Sequence, residues 1–133
     1  MHRRVLAKTA FAGAAMVAVL PSAGRAADVD PFENVVFTEG NPGHWKGLEA
    51  VHVPLVTVTG SKLAVRTPHP MTKPHFIVSH SVVLADGTLL GRKTFTYMDQ
   101  PVSEYTLPAG YTGKVTITST CNLHDLWVKT VSV

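Results

Sequence analysis

HFIVSHSVVLADGTLLGRKTFTY, residues 75–97, decides the fold class of this 133-residue chain. Residues 75–84 are β-branched and apolar, a composition that suits a pleated, packed surface. Asp86-Gly87 then supplies the short turn signal of a hairpin, and residues 88–97 read as the returning strand. Outward from this hairpin the pattern repeats. Residues 51–59 alternate roughly and are rich in valine, Gly60-Ser61 breaks them, and 62–67 give a short strand. Residues 102–107 follow and are closed by Pro108-Ala109-Gly110. Residues 114–120 (KVTITST) alternate with period two, and 126–133 form the last strand. Residues 27–48 are irregular, with a turn at Asn41-Pro42-Gly43, and no stretch has helical periodicity of useful length.

About seven short strands separated by turn residues predict an all-β, immunoglobulin-like antiparallel β-sandwich. No internal repeat, low-complexity stretch or second domain is visible. With one cysteine the chain makes no internal disulfide, so the immunoglobulin likeness is one of architecture only.

Residues 1–26 read as a secretory signal peptide. Arg3 and Arg4 make the basic start, and residues 9–20 (TAFAGAAMVAVL) are apolar but short for a membrane-spanning helix. Gly24-Arg25-Ala26 puts small residues where a signal peptidase cuts. Arg3-Arg4-Val5-Leu6-Ala7-Lys8 loosely follows the twin-arginine export motif, and general secretion is the other route. A membrane anchor or amphipathic first helix is the competing reading of this stretch. The expectation is a periplasmic domain over residues 27–133, with no membrane attachment once the leader is cut. Four of the twelve Lys+Arg lie in the leader and all nine Asp+Glu lie after it, so the mature part has a net charge of −1 with neutral histidines. The basic character belongs to the leader and gives no reason for a nucleic-acid partner. A lone thiol is a liability in an exported protein unless it is bound, and metal ligation would resolve that.

Four histidines and the cysteine fall at strand boundaries: His52-Val53-Pro54, His69-Pro70-Met71-Thr72-Lys73-Pro74-His75 and Cys121-Asn122-Leu123-His124. Pro70 and Pro74 forbid regular helix and stiffen the loop between two imidazoles. Cys121 and His124 have the spacing of a tight metal turn, just after a strand. Loops at one end of a sandwich cluster, so the three segments can converge. Taken singly, each side chain is a surface or packed residue more often than a ligand, and a free cysteine commonly behaves as a small hydrophobe. The joint pattern is the stronger signal. His80 lies mid-strand and reads as structural or exposed, and His44 lies in a loop able to approach the site. Structural zinc prefers four ligands with more cysteines. Blue copper wants two His, one Cys and a weak axial Met, so Met71 keeps copper open on residue types. Four imidazoles with one thiolate exceed both needs and suit one iron ion.

These segments, with Phe76-Ile77 and Trp127, resemble the superoxide reductase family, the neelaredoxin and desulfoferrodoxin iron-binding domain of one-iron type. The resemblance runs from about Gly47 to Trp127. It implies that His52, His69, His75 and His124 bind iron equatorially and that Cys121 is the axial thiolate. It also implies one-electron reduction of superoxide to hydrogen peroxide, with an external electron-donor protein such as a c-type cytochrome or a rubredoxin-like carrier. Backbone N–H groups of Leu123 or His124 would tune the sulfur. Relatives usually carry Glu-Lys just before the first ligand, and here those positions are Ala50-Val51. In relatives the Glu closes the sixth position and the Lys attracts superoxide, roles that Ala and Val do not fill. Glu49, in an extended segment, would point to the opposite face. Lys73, between two ligands, is the candidate substitute cation. Asp125 stands where relatives have glycine. The second, rubredoxin-like iron centre of some relatives has no Cys-x-x-Cys pair here.

Two other readings compete with a superoxide reductase. One is a non-catalytic iron protein of the same fold, acting in electron transfer or sensing a diatomic ligand. The other is an immunoglobulin-like binding module without metal. Homo-oligomerisation is open on sequence alone.

Overall fold

The computed structural model describes residues 13–15, 18 and 29–133, so the leader expected over 1–26 lies almost wholly outside the described residues. The strands are β1 (Val36–Phe37), β2 (Leu55–Thr59), β3 (Lys62–Arg66), β4 (Ile77–Leu84), β5 (Leu89–Thr94), β6 (Val102–Thr106), β7 (Lys114–Cys121) and β8 (Asp125–Ser132). A short helix, α1, covers Glu49–His52, and a 3-10 turn covers Gly43–Trp45. The strands make a five-stranded sheet, β1-β8-β7-β4-β5, and a three-stranded sheet, β2-β3-β6, in which β2 is an edge. This is the immunoglobulin-like β-sandwich expected from the turn spacing.

The 75–97 stretch forms the β4–β5 hairpin as read. Gly87 takes a left-handed φ of 88°, and the Asp86 carboxylate accepts the Thr88 N–H at 2.9 Å, which fixes the turn. The apolar core lies between the sheets, with Leu63 and Val65 of β3 facing Val82, Leu84, Val115 and Ile117 of β4 and β7. Burying such side chains contributes roughly 1.5–3 kcal/mol each.

The inward positions of three strands change character along their length. From β3 they run Leu63, Val65, Thr67, His69; along β7, Val115, Ile117, Ser119, Cys121; along β4 in reverse, Leu84, Val82, His80. Period-two alternation keeps those within β3, β4 and β7 facing inward, and a tight turn at Thr67 carries the line on to His69 beyond β3. The sandwich therefore passes from an apolar layer, through a hydroxyl and imidazole layer, to the layer holding His69 and Cys121.

Two expectations are corrected. His52 does not begin a strand, because residues 49–52 close one helical turn and β2 starts only at Leu55. Pro54 lacks the N–H to continue that turn. The extended-chain argument about Glu49 fails with it: the Glu49 carboxylate turns back to accept the Gly47 N–H at 2.8 Å. The second correction is β1, which lies in the stretch read as irregular. It pairs parallel with β8, Val36 with Leu126 and Phe37 with Trp127. A two-residue strand has no periodicity to reveal it; its anchor is Phe37, buried against Trp127 with ring centroids 5.5 Å apart.

Candidate metal centre

The ligand-type atoms of His52, His69, His75, Cys121 and His124 all lie within 4.8 Å of one another at one end of the sandwich. Each arrives by a local device. His52 ends α1, and its Nδ1–H donates to the Leu48 carbonyl at 2.9 Å. His69 follows β3 through Thr67, whose carbonyl accepts the His69 N–H at 2.8 Å, and the His69 Nδ1–H donates to the Pro70 carbonyl at 2.6 Å. A carbonyl can only accept, so both rings carry their proton on Nδ1 and present a bare Nε2 lone pair. His75 closes a tight turn with Thr72, through paired backbone bonds of 2.9 and 3.0 Å. Cys121 and His124 flank the turn between β7 and β8, where Cys121 pairs with Asp125. Asp125 has a φ of 64°, the left-handed region that favours glycine.

The nitrogens form a run of short contacts. His52 Nε2 to His124 Nδ1 is 3.1 Å, His124 Nδ1 to His75 Nε2 is 3.0 Å, and His75 Nε2 to His69 Nε2 is 3.1 Å. At these distances the bare Nε2 atoms of His52 and His69 need a positive partner, either a ring N–H of the neighbouring histidine or a shared cation. Four nitrogens placed about 2.1 Å from a central first-row ion in a square would be about 3.0 Å apart along each edge. The spacing fits that arrangement. Cys121 Sγ lies 3.2 Å from His75 Nε2, 3.7 Å from His124 Nδ1 and 3.8 Å from His69 Nε2, so it sits against three of the four nitrogens. Four imidazoles and one thiolate converging within 4.8 Å match a single iron ion, and five protein donors leave one of six octahedral positions for a ligand.

Electrostatics agree with neutral imidazoles at His52, His69 and His75. Burial, followed by the charge of His52, pushes the His69 pKa down to about 4. Burial also lowers His52, and lowers His75 together with the neighbouring His124. Burial raises the Cys121 thiol, opposed by the backbone N–H groups of Leu123 and His124 that face its sulfur. A bound cation would supply the charge that holds it as thiolate. His52, His69 and Cys121 are buried, whereas His75 and His124 are half-buried and form the open side.

The surroundings hold residues that the sequence reading left out. Asn122 ties two ligand segments together: its Oδ1 accepts the Phe76 N–H at 2.9 Å and its Nδ2 donates to the Pro74 carbonyl at 3.0 Å. Trp127 stacks on His52 with centroids 5.3 Å apart, and its Nε1–H donates to the His124 carbonyl at 2.9 Å. Trp45 lies edge-on to His124 at 4.6 Å, and its Nε1–H donates to Asp125 at 3.1 Å. The only sequence hint for Asn122 and Trp127 was their position within the quoted motif, and Trp45 had none. His44 is not in the ligand group and touches its surroundings through Trp45 and Phe37. The Met71 thioether accepts the Ile77 N–H at 3.3 Å and packs against Ile77, Phe95 and Cys121. Lys73 is exposed at the tip of the Thr72–His75 turn. Ala50 and Val51 are exposed on α1 and bring no charged group to the site.

The family model for desulfoferrodoxin matches residues 45–130. No curated protein matches the chain significantly in sequence. Among solved structures, the chain is similar to a one-iron superoxide reductase from Giardia intestinalis at 22% identity and a TM-score of 0.57, over 64% of this chain and 100% of that one. It is similar to the superoxide reductase (neelaredoxin) from Ignicoccus hospitalis at 22% identity and a TM-score of 0.61, over 74% and 93%. It is also similar to the superoxide reductase from Treponema pallidum at 26% identity and a TM-score of 0.51, over 60% and 66%.

Proposed function

Because this chain belongs to the desulfoferrodoxin family, we propose that it is a periplasmic one-iron superoxide reductase. His52, His69, His75, His124 and Cys121 would hold the iron. The observation that carries this reading is the convergence of four histidine nitrogens and the Cys121 sulfur within 4.8 Å of one another. Iron bound there would supply the one electron that, with two protons, converts superoxide to hydrogen peroxide, and an external donor protein would restore that electron.

The protein's own groups do the rest. The Leu48 and Pro70 carbonyls fix the His52 and His69 tautomers, so both present a lone pair without rearrangement. The Leu123 and His124 N–H groups stabilise negative charge on the Cys121 sulfur. Neutral imidazoles leave the centre with net positive charge, which draws an anion to it. Lys73 takes the place of the absent Lys as the cation near the entrance, on the strength of its exposed position between His69 and His75. The second reading, a non-catalytic iron protein that carries electrons or senses a diatomic ligand, is favoured by the lack of a charged side chain at Ala50 and Val51.

The test is to express the mature chain, count bound metal, and mix the reduced form rapidly with superoxide while following the visible spectrum. One iron, a thiolate-to-iron band and a near diffusion-limited reaction are expected. Iron with that band but a slow reaction would establish the second reading, and absence of iron would end both. Lys73→Met is expected to lower the second-order rate several-fold at low salt; an unchanged rate removes Lys73 from the mechanism.

A further inference from the structure

We propose that His80 is a positioning residue for the metal centre, acting through the hydroxyls of Thr67 and Ser119 on His69 and Cys121. The proposal rests on reading the five side chains as a metal centre. His80 is fully buried, and both ring nitrogens are engaged: Nε2 with Thr67 Oγ1 at 2.8 Å and Nδ1 with Ser103 Oγ at 2.8 Å. Thr67 Oγ1 continues to Ser119 Oγ at 2.7 Å. Thr67, Ser103 and Ser119 are themselves buried, so the network joins β4, β6, β7 and the segment after β3 away from water.

Its placement gives it a specific purchase. Thr67 lies two residues before His69 and accepts that residue's N–H on its carbonyl, while its own N–H donates to Pro101 at 3.1 Å. Ser119 lies two residues before Cys121 on the same inward face of β7. The His80 ring stands edge-on to Phe95 at 4.9 Å, and Phe95 packs with Cys121 and Ile77. The network thus grips the polypeptide one step behind two ligands that come from different sheets.

An apolar side chain would fill this place at a smaller desolvation cost, so core filling alone does not account for four buried polar groups. A fully satisfied network with short bonds fixes one relative arrangement of its strands. A neutral imidazole donates from one nitrogen and accepts at the other, which gives the chain of hydroxyls a single direction and few alternative registers. Outer partners of this kind commonly hold ligand geometry to within the tolerance that metal affinity requires.

The test is a cobalt(II) titration of the folded apo chain, followed by visible absorption, alongside thermal unfolding of the same samples. Thr67→Val keeps the shape and removes the hydroxyl. It is expected to weaken cobalt binding by about ten- to a hundredfold and to shift the thiolate-to-metal band. Thr67→Ser, which restores the hydroxyl, should bind within about threefold of the parent, and Ser119→Ala, which removes the far end, should bind at least about threefold more weakly. Unchanged affinity and band in Thr67→Val and Ser119→Ala, with only lower thermal stability, would overturn the proposal and leave His80 a core residue. A parent chain that binds no cobalt would instead overturn the metal-centre reading.

Discussion

At the scale of single residues, His80 carries a consequence for acid stability as well as for geometry. Burial, reinforced by Lys93 opposite it in β5, holds its folded pKa down to about 4, against an ordinary 6.5. A histidine whose folded pKa is depressed stabilises the fold fully above its unfolded pKa, and that stability is lost as pH falls toward the folded value. Unfolding free energy should therefore drop by roughly 3 kcal/mol between pH 6.5 and about 4 from this residue alone. Denaturant titrations of the parent and of His80→Gln at several pH values check it; equal slopes with pH in both would remove His80 as the cause. Asp125 illustrates the opposite kind of residue. Its left-handed backbone accounts for the glycine expected there, and its carboxylate gains a partner in Trp45 that glycine could not have.

At the scale of elements, the two ligand-bearing turns are coupled by one side chain. Asn122 sits in the β7–β8 turn yet makes two hydrogen bonds to the backbone of residues 74–76. Asn122→Ala should cost about 1–2 kcal/mol in stability and loosen His75 relative to Cys121. Cobalt or iron affinity should fall about tenfold, and a metal titration that matches the parent would show that the turns hold themselves. Much at this scale was legible in the sequence. The Asp86-Gly87 turn, the alternation of 114–120 and the Pro-framed segment 69–75 each state their own conformation. The short turn of α1 was not legible, because four residues beside Pro54 carry no period. Nor were β1, Asn122 and the His80 network, since each exists only through contacts with chain far away in sequence. The five ligand-type side chains were nameable because their residue types are unusual together; their spacing within 4.8 Å was not, because it depends on the closed sandwich.

At the scale of the whole molecule, the site is the last layer of the fold and does not build it. The ligand segments are separated by up to 72 positions, as in the His52–His124 contact, so they meet only after both sheets have formed. The apolar core of Leu63, Val65, Val82, Val115 and Ile117 does not include them. Metal removal should therefore leave the sandwich folded while lowering its melting temperature. Free metal at about a thousand times its dissociation constant stabilises by about 4 kcal/mol, equivalent to roughly 15 °C for a domain of this size. Thermal melts of the chelated and loaded protein by circular dichroism would check this, and an apo chain without β-structure would refute it.

The exposed border of the smaller sheet has a consequence for handling and storage. Strand β2 reads LVTVT, has no charged residue and no proline, and leaves Leu55 and Val58 open to solvent. Unprotected borders of that kind invite strand addition from a neighbouring molecule. Warm, concentrated stock should grow turbid by a route that bypasses unfolding. Thr57→Lys, at the middle of the border, should slow the growth of light scattering without altering the melting temperature by more than about 2 °C. Scattering that rises equally fast in this variant would place the cohesive surface elsewhere.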